Sequence, residues 1–329
     1  MIFRYFFELS GESLDMPAAE AARCIESESG GTVDSIGPGY IIASFDDEHL
    51  DAIAERIALT HSIGRYLGAY DPSLVDDVAK LVLPDGTFAI RAKRFKGMMK
   101  DVDSQKLIIT IGGLLSKNND VDLKEPDVVV RMQMCDKVHL YIEEKVIDGG
   151  SFDKRKVSER PFFSPISLHP KYARTLINLT GAKRGSTILD PFCGTGGIVI
   201  EAAHMGMNVI ASDFDEEMII GCRENMEFYG LELKDYAILD IADIADRFGE
   251  VDAIVTDPPY GRSTKTGGEN ASAIHVRALE SMSSAITSEG RVGLILPYEI
   301  TSKTMRLENV YKQHVHGSLS RHYHIFKKI

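Results

Sequence analysis

Asp190-Pro191-Phe192-Cys193-Gly194-Thr195-Gly196-Gly197 lies between an apolar run, Ser186 to Leu189, and a second apolar run with helical spacing, Ile198 to His204. Small residues between a strand and a helix make a tight turn in which a ligand can touch the backbone. The strand-helix unit then repeats. Its second strand, Asn208 to Asp215, ends in acids about twenty residues after the glycines, where nucleotide-type sites place a carboxylate for a ribose hydroxyl. The pairing points to a nucleoside-bearing cofactor.

The residue closing the first strand selects among such cofactors. A dinucleotide site has Gly-x-Gly-x-x-Gly and an uncharged residue there, because the pyrophosphate lies on the helix N-terminus. Asp190 would repel a pyrophosphate but can pair with the ammonium of an amino-acid moiety. S-adenosylmethionine has that ammonium and no phosphate. The turn therefore resembles the first motif of class I methyltransferases. Downstream, Asp257-Pro258-Pro259-Tyr260-Gly261 closes the strand Val251 to Thr256 and resembles the motif of enzymes that methylate exocyclic amino groups of nucleic-acid bases. An NAD-dependent oxidoreductase is disfavoured by Asp190 and by the absent third glycine.

The 329 residues leave room for a catalytic domain plus smaller modules. No apolar run approaches the roughly 18 residues needed to cross a bilayer, and Met1 to Gly30 has no leader pattern, so a soluble cytoplasmic protein with no membrane partner is expected. Cys24, Cys135, Cys193 and Cys222 show no paired spacing and are expected as reduced thiols. A formal charge of -12 argues against indiscriminate nucleic-acid binding but not against a local basic face. Arg91, Lys93, Arg94, Lys96 and Lys100 form one basic cluster, Lys154, Arg155, Lys156 and Arg160 another, and Arg321, Lys327 and Lys328 a third. Solvated surface explains any one of them alone; beside a base-methylation motif they point to RNA.

Patterning predicts the order strand, helix, strand, strand, helix, strand over residues 1–70: Ile2 to Leu9, a helix from Asp15 to about Ser29, a strand pair within Thr32 to Phe45, a helix over Asp46 to Leu59, and Ser62 to Tyr70. This is a ferredoxin-like arrangement. Residues 71–147 form a further unit: a helix over Pro72 to Leu81, strand Thr87 to Phe95, helix Ser104 to Ser116, and strands Asp127 to Met134 and Lys137 to Val146. Alternation places Phe88, Ile90 and Ala92 on one face and Arg91 and Lys93 on the other. With Pro126-Asp127-Val128-Val129-Val130 closing it, the unit resembles the THUMP domain of RNA-modifying enzymes, which implies a grip on the acceptor end of tRNA.

Residues 148–160 read as a linker, and residues 161–329 as an α/β, Rossmann-like class I methyltransferase domain with a mostly parallel sheet. Phe162, Phe163 and His169, within Arg160 to Pro170, either wall the methionine end of the ligand or serve as a hydrophobic staple and helix cap. Ligands of such sheets bind beyond the strands' carboxyl ends, where Asp190, Asp213, Asp240 and Asp257 fall. Acids gathered in one crevice require cationic or hydrogen-bond-donating partners. The proposed ligand supplies them: its ammonium for Asp190, its ribose hydroxyls for Asp213, its adenine amine for Asp240. Asp240 also reads as an N-cap. Pro191, Gly194, Thr195, Gly196 and Gly197 complete the turn, and Phe214 follows the ribose acid. His314, His316, His322 and His324 alternate on a closing hairpin; without nearby carboxylates or thiols they read as structural, and no metal is expected.

Asp257 faces the acceptor. An exocyclic base amine is a poor nucleophile because its lone pair is delocalised into the ring. The Asp257 carboxylate and the Pro258 carbonyl can accept its protons and draw the nitrogen toward tetrahedral geometry, while Tyr260 offers a stacking face to an extruded base. Catalysis is then largely positioning.

Over its whole length the chain resembles the archaeal tRNA guanosine-10 N2-methyltransferases. That resemblance implies catalysis by Asp257, mono- and dimethylguanosine as products and tRNA as partner, and it leaves room for a small activator subunit. Methylation of another tRNA or ribosomal RNA guanosine keeps the chemistry and changes the address. A noncatalytic RNA-binding protein would be expected to have lost the Asp190 turn or the Asp257 motif, and a DNA adenine methyltransferase to carry a target-recognition insert.

Overall fold

The computed structural model describes residues 1–13, 15–163, 168–260, 270–316 and 319–329; Ser164 to Ser167, Gly261 and the side chains of His316 and Leu319 lie outside the described residues. Contacts divide the chain into two compact units, one of Met1–Ile25, Ser29–Ala54 and Leu59–Ile147, the other of Glu26–Glu28, Glu55–Ala58 and Asp148–Ile329.

The first contains β1 (Ile2–Leu9), most of α1 (Met16–Ser29), β2 (Thr32–Gly37), β3 (Tyr40–Asp46), most of α2 (Leu50–Arg56), β4 (Thr60–Tyr70), β5 (Phe88–Arg94), α3 (Ser104–Leu115), β6 (Val128–Met134) and β7 (Val138–Val146). They build one seven-stranded sheet in the order β2-β3-β1-β4-β7-β6-β5. The first four strands of that order are antiparallel and follow the ferredoxin-like sequence. Strand β4 then pairs antiparallel with β7, so residues 1–70 and 71–147 share a single sheet, with β5 parallel to β6 at its edge. Tyr5, Phe6 and Phe7 are consecutive and all buried, which requires cover on both faces of the central strand.

Two expected helices are shorter. Over Pro72 to Leu81 only a 3-10 turn, Asp76–Lys80, forms, because the Asp71 carboxylate captures the Ser73 amide and hydroxyl and fixes a turn instead. The helix expected from Asp46 opens as a 3-10 turn, Asp47–His49, capped by Asp46, before α2.

The second unit contains α4 (Gly150–Asp153), α5 (Pro170–Thr180), β8 (Thr187–Asp190), α6 (Gly197–His204), β9 (Asn208–Asp213), α7 (Glu216–Phe228), β10 (Asp235–Ile238), α8 (Ile244–Phe248), β11 (Val251–Thr256), α9 (Ala271–Ala285), β12 (Ile286–Leu296), β13 (Met305–His316) and β14 (Leu319–Lys328). The sheet order is β10-β9-β8-β11-β12-β14-β13. Strands β10 through β12 of that order are parallel, and β14 and β13 close the edge antiparallel. The chain runs outward from β8 to β10 and resumes on the opposite side with β11. The crevice between β8 and β11 is therefore the topological switch point, where open parallel sheets bind ligands. Leu189, Ile210, Ile254, Val292, Leu294 and Phe326 fill the core beneath it. No helix among the described residues is long and apolar enough to cross a membrane.

Candidate active site

Strands β8 and β11 are neighbours, with Ile188 opposite Ala253 and Leu189 opposite Ile254, so their carboxyl ends present Asp190 and Asp257 to the same crevice. Asp190 is buried. Thr256 Oγ1 donates to its Oδ1 at 2.6 Å and the Phe192 amide at 3.2 Å. Burial outweighs both donors and, with Asp213 and Asp257 adding like charge, pushes its pKa up to about 7. Among the described residues no cation pairs with it.

The turn itself is held from β9. The Gly194 amide donates to Asp213 Oδ2 at 3.0 Å and the Cys193 amide to the Ser212 carbonyl at 3.0 Å. Asp213 Oδ1 takes the Asp215 amide, and burial raises this carboxyl too, offset in part by the amides. Gly194 and Gly196 occupy left-handed backbone at φ 47° and 87°. A Cβ on Gly196 would stand 2.9 Å from Cys222 Sγ, so glycine is required there for packing as well as conformation. Gly197 opens α6, Pro191 and Thr195 are buried, and Phe214 is exposed just beyond Asp213.

Other expected residues have different surroundings. Asp240 caps the 3-10 turn Ile241–Asp243 through the Ala242 amide and pairs with Arg277; burial would raise its pKa, but these partners hold it below the ordinary carboxylate range. His169 caps α5, its Nδ1 accepting the Lys171 amide at 3.2 Å while Nε2 lies 3.3 Å from Asp153. Phe162 packs on Gly221 of α7, and Phe163 is 58% exposed. Asn225 joins these parts, accepting from the Phe162 amide at 3.0 Å and donating to the Phe162 and Thr195 carbonyls. The lone buried amide between Cys222 and Met226 was the available signal for this residue.

At the end of β11, Tyr260 donates its hydroxyl to Asp257 Oδ1 at 2.5 Å. Burial raises the Asp257 pKa to about 6, tempered by Tyr260 and by Arg321. Pro258 is buried between them in sequence. Arg321, expected in a surface basic cluster, instead lends its charge to this pair: burial opposes its protonation, and Asp257 and Tyr260 more than compensate. His275 of α9 lies 3.0 Å from the Pro259 carbonyl, and no sequence motif marks it.

The expected basic residues are not uniformly free. Lys93 pairs with buried Glu8, Arg94 wraps the Met98, Met99 and Val102 carbonyls, and Arg91 donates to the Leu123 carbonyl at 2.6 Å. Ala92, expected inward, is exposed. Lys96 and Lys100 are exposed on the following loop. Arg155, expected on the surface, forks onto buried Glu201 of α6, which Arg174 of α5 also binds; a buried carboxylate recruits the nearest guanidinium. Lys154 is exposed and Lys156 pairs with Asp153 at 2.8 Å.

Residues 158–322 match the RMKL-like methyltransferase domain, and residues 75–143 match the THUMP domain. Together with the strand order and crevice, these matches define a THUMP-bearing methyltransferase. The crystal structure of TrmN from Thermus thermophilus shares the fold, with a TM-score of 0.54 and 21% identity over 99% of this chain and 100% of that one. The tRNA (guanine(10)-N2)-dimethyltransferase of Methanothermobacter thermautotrophicus is 33% identical over 98% of both chains. Its namesake from Pyrococcus abyssi is 35% identical over 98% of this chain and 99% of the relative. The chain belongs to the tRNA (guanine(10)-N2)-dimethyltransferase family.

Proposed function

We propose that the protein transfers methyl groups from S-adenosylmethionine to the exocyclic N2 amine of guanosine 10 in tRNA, giving the mono- and then the dimethylated base, in the cytoplasm. The observation that carries this reading is the meeting of the Asp190 turn and the Asp257 motif at the carboxyl ends of adjacent strands. Residues 1–70 and 71–147 serve as ferredoxin-like and THUMP modules for tRNA, 148–160 as the linker and 161–329 as the catalytic domain.

The crevice fits the cofactor on its own chemistry. Asp190 has no cationic partner among the described residues and an amino-acid ammonium would provide one, the left-handed Gly194 and Gly196 open the backbone for close approach, and the acids of the crevice would repel a pyrophosphate. Bound there, S-adenosylmethionine supplies an electrophilic methyl on a sulfonium. Asp213, with both oxygens oriented by amides, is assigned to the ribose hydroxyls, and Phe214 to the adenine side. Asp240 is assigned to the adenine amine, in competition with Arg277.

On the acceptor side, Asp257 and the Pro258 carbonyl accept the protons of the amine and aim its lone pair. Tyr260 keeps Asp257 oriented and stacks the extruded base. The proton leaves to Asp257 or water after transfer. Lys96, Lys100 and Lys154 are exposed cations of the basic clusters and are assigned to phosphate. A tRNA transcript carrying inosine at position 10, which lacks the N2 amine, should accept no methyl while the guanosine transcript does; equal labelling of both would move the acceptor elsewhere.

A further inference from the structure

His275 on α9 is buried, at 1% exposure, and both of its ring nitrogens are engaged beside the acceptor loop. Nε2 lies 3.0 Å from the Pro259 carbonyl oxygen and Nδ1 lies 2.7 Å from the Tyr298 hydroxyl. A carbonyl only accepts, so Nε2 carries the proton. Nδ1 of the neutral ring then accepts from the Tyr298 hydroxyl, which fixes the tautomer. Burial, which disfavours the charged ring, supports the neutral form. Tyr298 lies just beyond the carboxyl end of β12, the strand beside β11. The relay therefore joins the end of one strand to the loop leaving the next.

The loop needs such a brace. Pro258 and Pro259 have no N–H, so neither can donate to the surrounding structure. The Pro258 carbonyl is assigned to the acceptor amine and the Tyr260 hydroxyl to Asp257. The Pro259 carbonyl sits between these groups in the chain, and His275 holds it.

We propose that His275, with its tautomer set by Tyr298, is a positioning residue that holds Asp257, the Pro258 carbonyl and Tyr260 in the geometry the acceptor amine requires. This rests on Asp257 being the acceptor-side carboxylate. The effect falls on the rate of transfer and not on cofactor affinity, since among the described residues the hydrogen bonds of His275 go to Pro259 and Tyr298 and to no residue of the Asp190 turn.

The test compares His275→Ala, His275→Gln, Tyr298→Phe and Asp257→Ala in methyl transfer to a tRNA transcript, with S-adenosylmethionine affinity by calorimetry and Tm for each. A loop displaced by an ångström costs on the order of 10²-fold, so His275→Ala should lose about that in kcat with KM for tRNA and cofactor Kd little changed. His275→Gln, whose amide N–H can reach the Pro259 carbonyl, should recover most of the rate, and Tyr298→Phe should lose less than His275→Ala. An active His275→Ala beside a dead Asp257→Ala overturns the positioning role alone. Equal loss in His275→Ala and His275→Gln, with reduced Tm, marks a core histidine and overturns it as well. Full transfer by Asp257→Ala overturns the acceptor reading and this inference with it.

Discussion

Thr256 donates its hydroxyl to the buried Asp190 carboxylate at 2.6 Å, tying the last residue of β11 to the last residue of β8. The bond crosses the switch point of the sheet, so the strand that ends in the Asp190 turn and the strand that ends in the Asp257 motif are fixed to each other. It only partly offsets the burial that raises the Asp190 pKa.

That burial has a pH signature. The Asp190 pKa of about 7 lies above the unfolded carboxyl value of roughly 3.9, so the stability it confers is fully present below about pH 4 and is lost as pH rises through about 7. Asp190→Asn should therefore raise the Tm of the ligand-free protein, with a gain that grows from pH 5 to pH 8, while abolishing S-adenosylmethionine binding. A gain that does not change with pH would contradict the buried, cation-deficient carboxylate.

As the proposed partner of the acceptor amine, Asp257 accepts its protons most strongly when ionised. Its raised pKa places the acid limb of kcat/KM near pH 6, with activity rising through that value and levelling above it. Asp257→Asn should lose about 10²- to 10³-fold in kcat and retain cofactor affinity. Calorimetry beside the pH–rate profile checks both; joint loss would place Asp257 on the cofactor.

Glu201 is buried and bound by Arg155 and Arg174. Glu201→Ala removes the buried carboxylate that two guanidinium groups share and should cost about 3–5 kcal/mol in denaturant unfolding. Arg155→Ala should likewise lower stability, with any loss of RNA affinity following from unfolding and not from a missing phosphate partner.

Lys96 and Lys100 are exposed beside a loop whose carbonyls Arg94 organises. Replacing both lysines by Glu should weaken tRNA binding, flatten its salt dependence by about one unit of slope for each phosphate no longer neutralised, and leave Tm unchanged. Unchanged affinity would make this loop ordinary solvated surface. Lys93→Glu and Arg94→Glu are poorer probes, because they also break intramolecular partners.

Local chemistry carried much of the fold in the sequence. The strand Val251 to Thr256 was bounded by its composition, and the glycine turn and the motif after β11 announced themselves because each confines its specificity to a few adjacent residues. What stayed hidden depends on partners far along the chain. Arg155 looks like one of a run of surface cations until Glu201, on a different helix, captures it. His275 and Asn225 are single polar residues on amphipathic helices, and only tertiary packing sets them against Pro259 and Thr195. The failed helix over Pro72 to Leu81 reflects a local side-chain turn at Asp71 that overrode helical periodicity. Pairing of β4 with β7, which merges the ferredoxin-like strands with the following ones, is a non-local choice that strand patterning alone does not encode.

The most direct measurement is to incubate the protein with labelled S-adenosylmethionine and an unmodified tRNA transcript, digest the RNA to nucleosides and identify the products by mass spectrometry. N2-methylguanosine and N2,N2-dimethylguanosine mapping to position 10 is the expected result. Label in any other nucleoside, or none in tRNA, would contradict the assignment of the Asp257 crevice to the guanine N2 amine.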